Sequence, residues 1–153
     1  MFFSRVRKGT YLTAVKQYSP KIIVAWAEAI SGNKKLRDWL ASNGYAELSA
    51  FTYALNLDES ARSWLMTEGH PELMALIRGA EGEEKACKWL RKNNFSKLAL
   101  IAEGADNDDE AVRQLLLDGN REWAMISLKI RSVKNDIQSD HDDVHKFSTR
   151  SRR

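Results

Sequence analysis

The segment with the clearest potential for chemistry is the histidine- and aspartate-rich stretch near the C-terminus. His141 and His145 stand four residues apart beside Asp140, Asp142 and Asp143. On a helix this spacing places both imidazoles on one face, where they could bind a divalent metal. The stretch lies in a polar segment with no apolar pattern to hold its backbone in place. We therefore predict that it is not a metal site.

Other residues that could take part in catalysis have simpler structural explanations. Asp108, Asp109 and Glu110 stand where a helix is predicted to begin, and negative charge is favourable at a helix N-terminus. Cys87 is the single cysteine, which excludes an internal disulfide and fits a reducing compartment. The sequence contains no glycine-rich phosphate loop, nucleophile elbow or zinc-type cysteine set. We predict that the protein is not an enzyme and binds no cofactor.

Length and composition are those of a single soluble domain. The chain has 153 residues, of which 43% are hydrophobic and 29% charged. No stretch approaches about 18 consecutive apolar residues, and the N-terminus does not have the charge order of a secretory signal. We therefore predict no membrane partner and a cytoplasmic location. The net charge of +3 is modest, although basic residues are concentrated at both ends of the chain.

A repeat with a period of 25 residues organises the chain. Its most visible positions, each followed by a leucine, are Trp39, Trp64 and Trp89. Periods of 20 to 50 residues are typical of stacked repeat architectures, in which no unit buries its apolar face alone. We expect these tryptophans to pack in the interior, so that Trp64→Ala costs roughly 3–5 kcal/mol of stability.

One repeat, residues 58–82, predicts a pair of short helices. Asp58 is placed to cap the first helix, and Gly69 to end it in a left-handed turn beside His70. Pro71 then suits the first turn of the second helix. The corresponding caps are Asn33, Glu83 and Asp108. Helices of about nine and ten residues are marginal alone, so stacking must stabilise them.

The whole chain is therefore predicted to be all-α, an α-solenoid (alpha-alpha superhelix) of about five 25-residue two-helix repeats. The units are 8–32, 33–57, 58–82, 83–107 and 108–132. They form one helical-repeat domain over 1–137, with the last helix running on through Ile130 and Val133. Leu57 breaks the glycine pattern at the exit of its unit. Residues 138–153 are predicted to be a flexible polar tail.

The segment Ala61–Ala80 resembles the helix-turn-helix half of an ankyrin repeat. The similarity rests on Trp64-Leu65, on the glycine-histidine turn Gly69-His70, and on Glu72-Leu73 at the start of the second helix. An ankyrin unit has about 33 residues, so the β-turn finger is missing here, as is the T-P-L-H helix opening. The resemblance implies a stacked helical-pair superhelix with an interaction role, and it implies no particular binding residues.

Basic residues off the apolar stripes of the first helices are the candidates for partner binding. They are Arg37, Arg62, Lys85, Lys88, Arg91, Lys92 and Arg113. If those helices line an inner, concave wall, the residues would form a basic ridge, diluted by neighbouring acids such as Asp38 and Glu84. We predict a non-enzymatic protein–protein interaction module whose partner has an acidic surface. The alternative is binding to a nucleic-acid backbone through the ridge and the basic termini.

Overall fold

The computed structural model describes the backbone of residues 18–150 and the side chains of residues 18–142. Over this range the chain is all-α, with nine helices and no strand. The helices are α1 (Pro20–Ile30), α2 (Lys34–Ser42), α3 (Ala46–Leu55), α4 (Glu59–Thr67), α5 (Pro71–Ala80), α6 (Glu84–Lys92), α7 (Ser96–Ala105), α8 (Asp109–Leu117) and α9 (Arg121–Arg150). The first half of the predicted unit 8–32 lies outside the described residues.

The helix starts confirm the caps predicted from the repeat. The first helices α2, α4, α6 and α8 each span nine residues, and α3, α5 and α7 each span ten. The side chains of Asn33, Asp58 and Asp108 accept hydrogen bonds from backbone amides three residues later, at 3.0 to 3.3 Å. Glu83 occupies the fourth cap position without such a bond. Local chemistry therefore sets where these helices begin.

The links between repeats share one turn geometry, including the link at Leu57 that departs from the glycine pattern. Leu57 has a φ of 70°, close to the 69° of Asn107 in the corresponding link. In both turns the next residue donates its backbone N–H back into the preceding helix, as Asp58 does to the Tyr53 carbonyl at 3.1 Å. The repeat therefore imposes a left-handed conformation on a leucine, although this conformation is unfavourable for residues other than glycine.

The helices form two layers, with the second helices inside. The last helix, α9, contacts α1, α3, α5 and α7, whereas the first helices pack between consecutive second helices. Trp26 of α1 meets Trp123 of α9 edge to face, with ring centroids 6.4 Å apart, and Phe51 of α3 at 4.9 Å. The row of hairpins therefore closes on itself where its last helix meets its first.

The tryptophans of the repeat are not the core residues that their spacing led us to expect. The leucine after each tryptophan, for example Leu65, is fully buried, whereas Trp39 is 44% exposed and Trp64 and Trp89 are half-buried. The prediction of interior packing is wrong for Trp39. Neighbouring residues of one helix point about 100° apart, so the inner layer takes the leucine and leaves the tryptophan at the boundary.

The final helix is longer than predicted. It continues to Arg150, so residues 138–150 are helical where we expected a flexible tail; residues 151–153 lie outside the described range. The chain contains no glycine or proline after Gly119. Once a helix is nucleated in the packed part, adding residues to its end is easy. The absence of an apolar pattern beyond Asn135 thus marked the end of packing and not the end of the helix.

Candidate functional site

The seven predicted binding residues lie on the outer layer. They belong to α2, α4, α6 and α8, the helices that pack against the outside of the inner layer. The first helices therefore do not line an inner wall, which was the condition for a concave basic ridge. The residues also differ in their contacts, so the structure divides one predicted set into three groups.

Arg37 and Arg62 hold consecutive repeats together. The Nε of Arg37 donates to the Ala29 carbonyl at 2.9 Å, and the Nε of Arg62 donates to the Ala54 carbonyl at 3.0 Å. The Arg37 guanidinium also lies 5.3 Å from the ring centroid of Tyr53. Each arginine thus adds a second hydrogen bond to a carbonyl near the C-terminal end of a second helix, which also accepts the backbone N–H of Gly32 or Leu57 in the following turn. The spacing of eight residues between an alanine and an arginine was the sequence signal for this contact.

The equivalent position in the next two repeats is filled differently. Cys87 and Val112 replace the arginines, and Gly79 and Gly104 replace the alanines eight residues before them. A Cβ built on Gly79 would lie 2.9 Å from the Cys87 sulfur, and one on Gly104 would lie 2.8 Å from Val112. Packing therefore accounts for Cys87, whose thiol pKa is raised mainly by burial. This thiol is less available as a nucleophile than an ordinary one.

Arg91 and Arg113 form ion pairs on the surface. The Arg91 guanidinium binds both carboxylate oxygens of Glu103 in α7, one of them at 2.7 Å. This contact raises the pKa of Arg91 further above its ordinary value. Arg113 lies 3.9 Å from Glu110, and both side chains are more than two-thirds exposed. Such exposed pairs contribute little to stability.

Lys85, Lys88 and Lys92 form the third group, which we call the outer lysine stripe. All three are exposed on α6, at spacings that place them on one face. None lies within 4.0 Å of a carboxylate among the described residues. The same positions of α4 carry Ser60, Ser63 and Thr67. Like charges at this spacing repel one another, whereas Lys92, in the last turn of α6, also interacts favourably with the helix dipole.

A cavity of about 410 Å³ lies between α6 and the start of α8. Five carboxylates line it: Glu83, Glu84, Glu103, Asp106 and Asp108. Most of them have structural contacts. Glu103 pairs with Arg91, Glu83 lies 3.8 Å from Arg78, Asp106 lies 3.4 Å from Lys134, and Asp108 caps α8. We therefore interpret the cavity as a junction between repeats whose carboxylates serve in ion pairs and in a helix cap.

Stacked aromatic pairs along the hairpin turns were not anticipated from the sequence. Trp64 stacks on His70 with ring centroids 5.9 Å apart and an interplanar angle of 14°. The pairs Trp39–Tyr45 and Trp89–Phe95 have the same arrangement at 6.4 and 6.2 Å. The available signal was an aromatic or imidazole ring six residues after each tryptophan. These contacts explain why the tryptophans recur without entering the core: each one closes its own hairpin.

A buried carboxylate lies behind one of these pairs. Glu72 is only 3% exposed, its Oε1 lies 3.9 Å from the Nδ1 of His70, and its Oε2 has no hydrogen-bond partner. Its interaction with His70 raises the pKa of that imidazole, against the opposing effect of burial. Tyr18 donates to Glu47 at 2.6 Å near the same end of the inner layer. Sequence reasoning placed His70 in a turn and missed Glu72.

The described residues offer neither a metal site nor a helix able to span a membrane. They contain no group of three or more histidines, cysteines or carboxylates placed to hold a metal ion; the side chain of His145 lies outside the described range. None of the described helices has the length and apolar character needed to cross a membrane.

Comparisons with protein-family models, with curated proteins and with solved structures found no match to this chain.

Proposed function

We propose that the protein is a non-enzymatic interaction module that binds an acidic surface of a protein partner through its outer helices. The observation that carries the proposal is the outer lysine stripe on α6, three exposed lysines without an ion pair to any described carboxylate. Their mutual repulsion is relieved when negative charge binds. The compartment we propose is the cytoplasm.

We interpret the architecture as a row of five ankyrin-like two-helix units that α9 closes against α1, and not as the open α-solenoid expected from the sequence. The support for the repeated units is the pair of nine- and ten-residue helices repeated at a period of 25 residues, with matching caps and turns. Repeat arrays of this kind present extended surfaces to partners. The proposed surface differs from the concave one that the resemblance suggests, because the lysines lie on the outer helices.

A protein partner fits this surface better than a nucleic-acid backbone. Arginine is the preferred side chain for bidentate contacts to phosphate, but Arg37, Arg62 and Arg91 are already bound to carbonyls or carboxylates within the fold. Carboxylates such as Glu84 and Asp109 also interrupt the positive surface. A continuous polyanion would meet these acids, whereas a short acidic patch can avoid them.

Replacing all three lysines of the outer lysine stripe by glutamine tests the proposal. Polyglutamate serves as the probe, with affinity measured by titration calorimetry at low and moderate salt. We expect the stripe variant to bind roughly tenfold more weakly, since exposed charge pairs contribute about 0.5 kcal/mol each. The matched control is K21Q/K34Q/K35Q, which removes equal charge from other exposed lysines.

Three outcomes would contradict the proposal. Polyglutamate could fail to bind the unmodified protein at low salt, or both triple variants could lose affinity equally. Alternatively, a DNA oligonucleotide could bind more tightly than polyglutamate with a steep salt dependence, which would favour the nucleic-acid alternative. Circular dichroism of both variants shows whether the helices are retained.

A further inference from the structure

An exposed pair of leucines lies in the repeat next to the outer lysine stripe. Leu116 and Leu117, at the end of α8, are 51% and 69% exposed. They occupy the positions held by Arg91 and Lys92 in the preceding repeat. Both α6 and α8 pack against α7, so Leu117 and Lys92 hold corresponding positions in the first helices of adjacent hairpins.

The fold does not require leucine at these positions. The corresponding pair in α2 is Ala41-Ser42, and the position of Leu117 is held by Thr67 in α4 and by Lys92 in α6. Apolar, polar and charged side chains therefore all occur at these positions, and the helix is followed by the same turn in each repeat. A single exposed leucine is common on protein surfaces, but two consecutive ones beside unpaired positive charge suit a binding function.

The charges around the leucine pair decide what kind of segment would cover it. On the α6 side lies the outer lysine stripe. Along α8 itself Asp118 accepts a hydrogen bond from Gln114 at 3.0 Å, and Arg113 lies 3.9 Å from Glu110. Exposed Arg121, four residues after Leu117, adds a further positive charge, so a segment bound here would carry carboxylates and direct them toward α6, where three lysines lie together.

We infer that the partner's binding segment is an acidic peptide carrying an apolar side chain, with its carboxylates on the outer lysine stripe and the apolar side chain on Leu116 and Leu117. This inference rests on the proposed function and makes it more specific. A nucleic-acid backbone has no apolar side chain to place on the leucines. A second copy of the chain is the other possible occupant, and the experiment distinguishes it.

The experiment compares two synthetic peptides of equal length and charge, one built of Glu-Glu-Leu triplets and the other of Glu-Glu-Ala triplets. We expect the leucine peptide to bind the unmodified protein roughly five- to tenfold more tightly, because leucine buries more apolar surface than alanine. The variant L116A/L117S reproduces the pair found in α2 and should remove this difference. The control L128S, at an exposed leucine of α9, should keep it.

The remaining outcomes separate the two ideas. Equal affinities for the two peptides would overturn the inference and leave the proposed function standing, whereas failure of both peptides to bind would overturn both. Self-association of the unmodified protein in analytical ultracentrifugation, abolished by L116A/L117S, would make the leucine pair a contact between copies of the chain and overturn the inference. An oligonucleotide whose binding is lost in L116A/L117S would overturn it as well.

Discussion

Replacing Gly104 by alanine should destabilise the protein, although helix propensity alone predicts the opposite. Gly104 lies inside α7, where alanine is favoured over glycine by about 1 kcal/mol. A Cβ at this position would lie 2.3 Å from the Ser127 hydroxyl oxygen and 2.8 Å from a methyl carbon of Val112. Both distances are shorter than real Cβ contacts, so the side chains of Ser127 and Val112, or the helices that carry them, must shift. Overpacking of this kind costs typically 1–3 kcal/mol.

The net effect follows from the two opposing contributions. Because two atoms lie within 3.0 Å of the added Cβ, we take the upper end of the overpacking cost, about 3 kcal/mol. Set against a gain of about 1 kcal/mol from propensity, it leaves a loss of roughly 2 kcal/mol. Urea unfolding followed by circular dichroism measures this change. The matched control is Ala54→Gly, at the corresponding position of α3, which already carries a methyl group. It should also lose stability, by about 1 kcal/mol, through propensity and the loss of that methyl.

A double-mutant cycle with Ser127→Ala tests the cause. The Ser127 hydroxyl donates to the Ile101 carbonyl at 2.8 Å, so its removal alone should cost about 1 kcal/mol. In the double variant the shortest contact of the new methyl is gone. Gly104→Ala should therefore cost less in the Ser127→Ala background than in the unmodified protein. If Gly104→Ala stabilised the protein, or if the two costs simply added, the packing argument would be refuted.

Three other substitutions test the remaining contacts. Leu65→Ala should lower the free energy of unfolding by about 2–5 kcal/mol and Trp64→Ala by clearly less, because only Leu65 is fully buried; equal losses in urea melts would contradict this. Leu57→Gly should raise the free energy of unfolding by roughly 0.5–1 kcal/mol, because glycine adopts the left-handed conformation without strain and Leu57 is half exposed. A lower melting temperature of the variant would show that the contacts of Leu57 outweigh the strain. The interaction with Glu72 raises the pKa of His70 above its ordinary value. The charged imidazole therefore stabilises the fold at low pH, and this contribution is lost as the pH rises through the raised pKa. His70→Gln should flatten the fall in unfolding free energy between acidic and mildly alkaline pH, and an unchanged slope would exclude His70 as its source.

The site was only partly predictable, since the sequence identified the basic residues but not their contacts. Arg37 and Arg62 resemble the lysines of α6 in charge, and both sets lie on first helices of the repeat. The arginines differ because each reaches a carbonyl of the preceding repeat. The sequence signal for that contact is the alanine eight residues earlier, which becomes meaningful only once two repeats are seen to pack together. The lysines have no such neighbour, which leaves them available for a partner.

The helices, caps and turns were determined by the sequence itself, because each depends on residues within one or two helical turns. Asp58 caps α4 through an amide three residues away, and even Leu57 follows the turn of its repeat. The tertiary structure decided which helices lie inside, how the row of hairpins closes, and why the tryptophans stay at the boundary. Trp26 and Trp123 meet although almost a hundred residues separate them. A contact of that kind depends on how all the intervening hairpins stack, which no local pattern encodes.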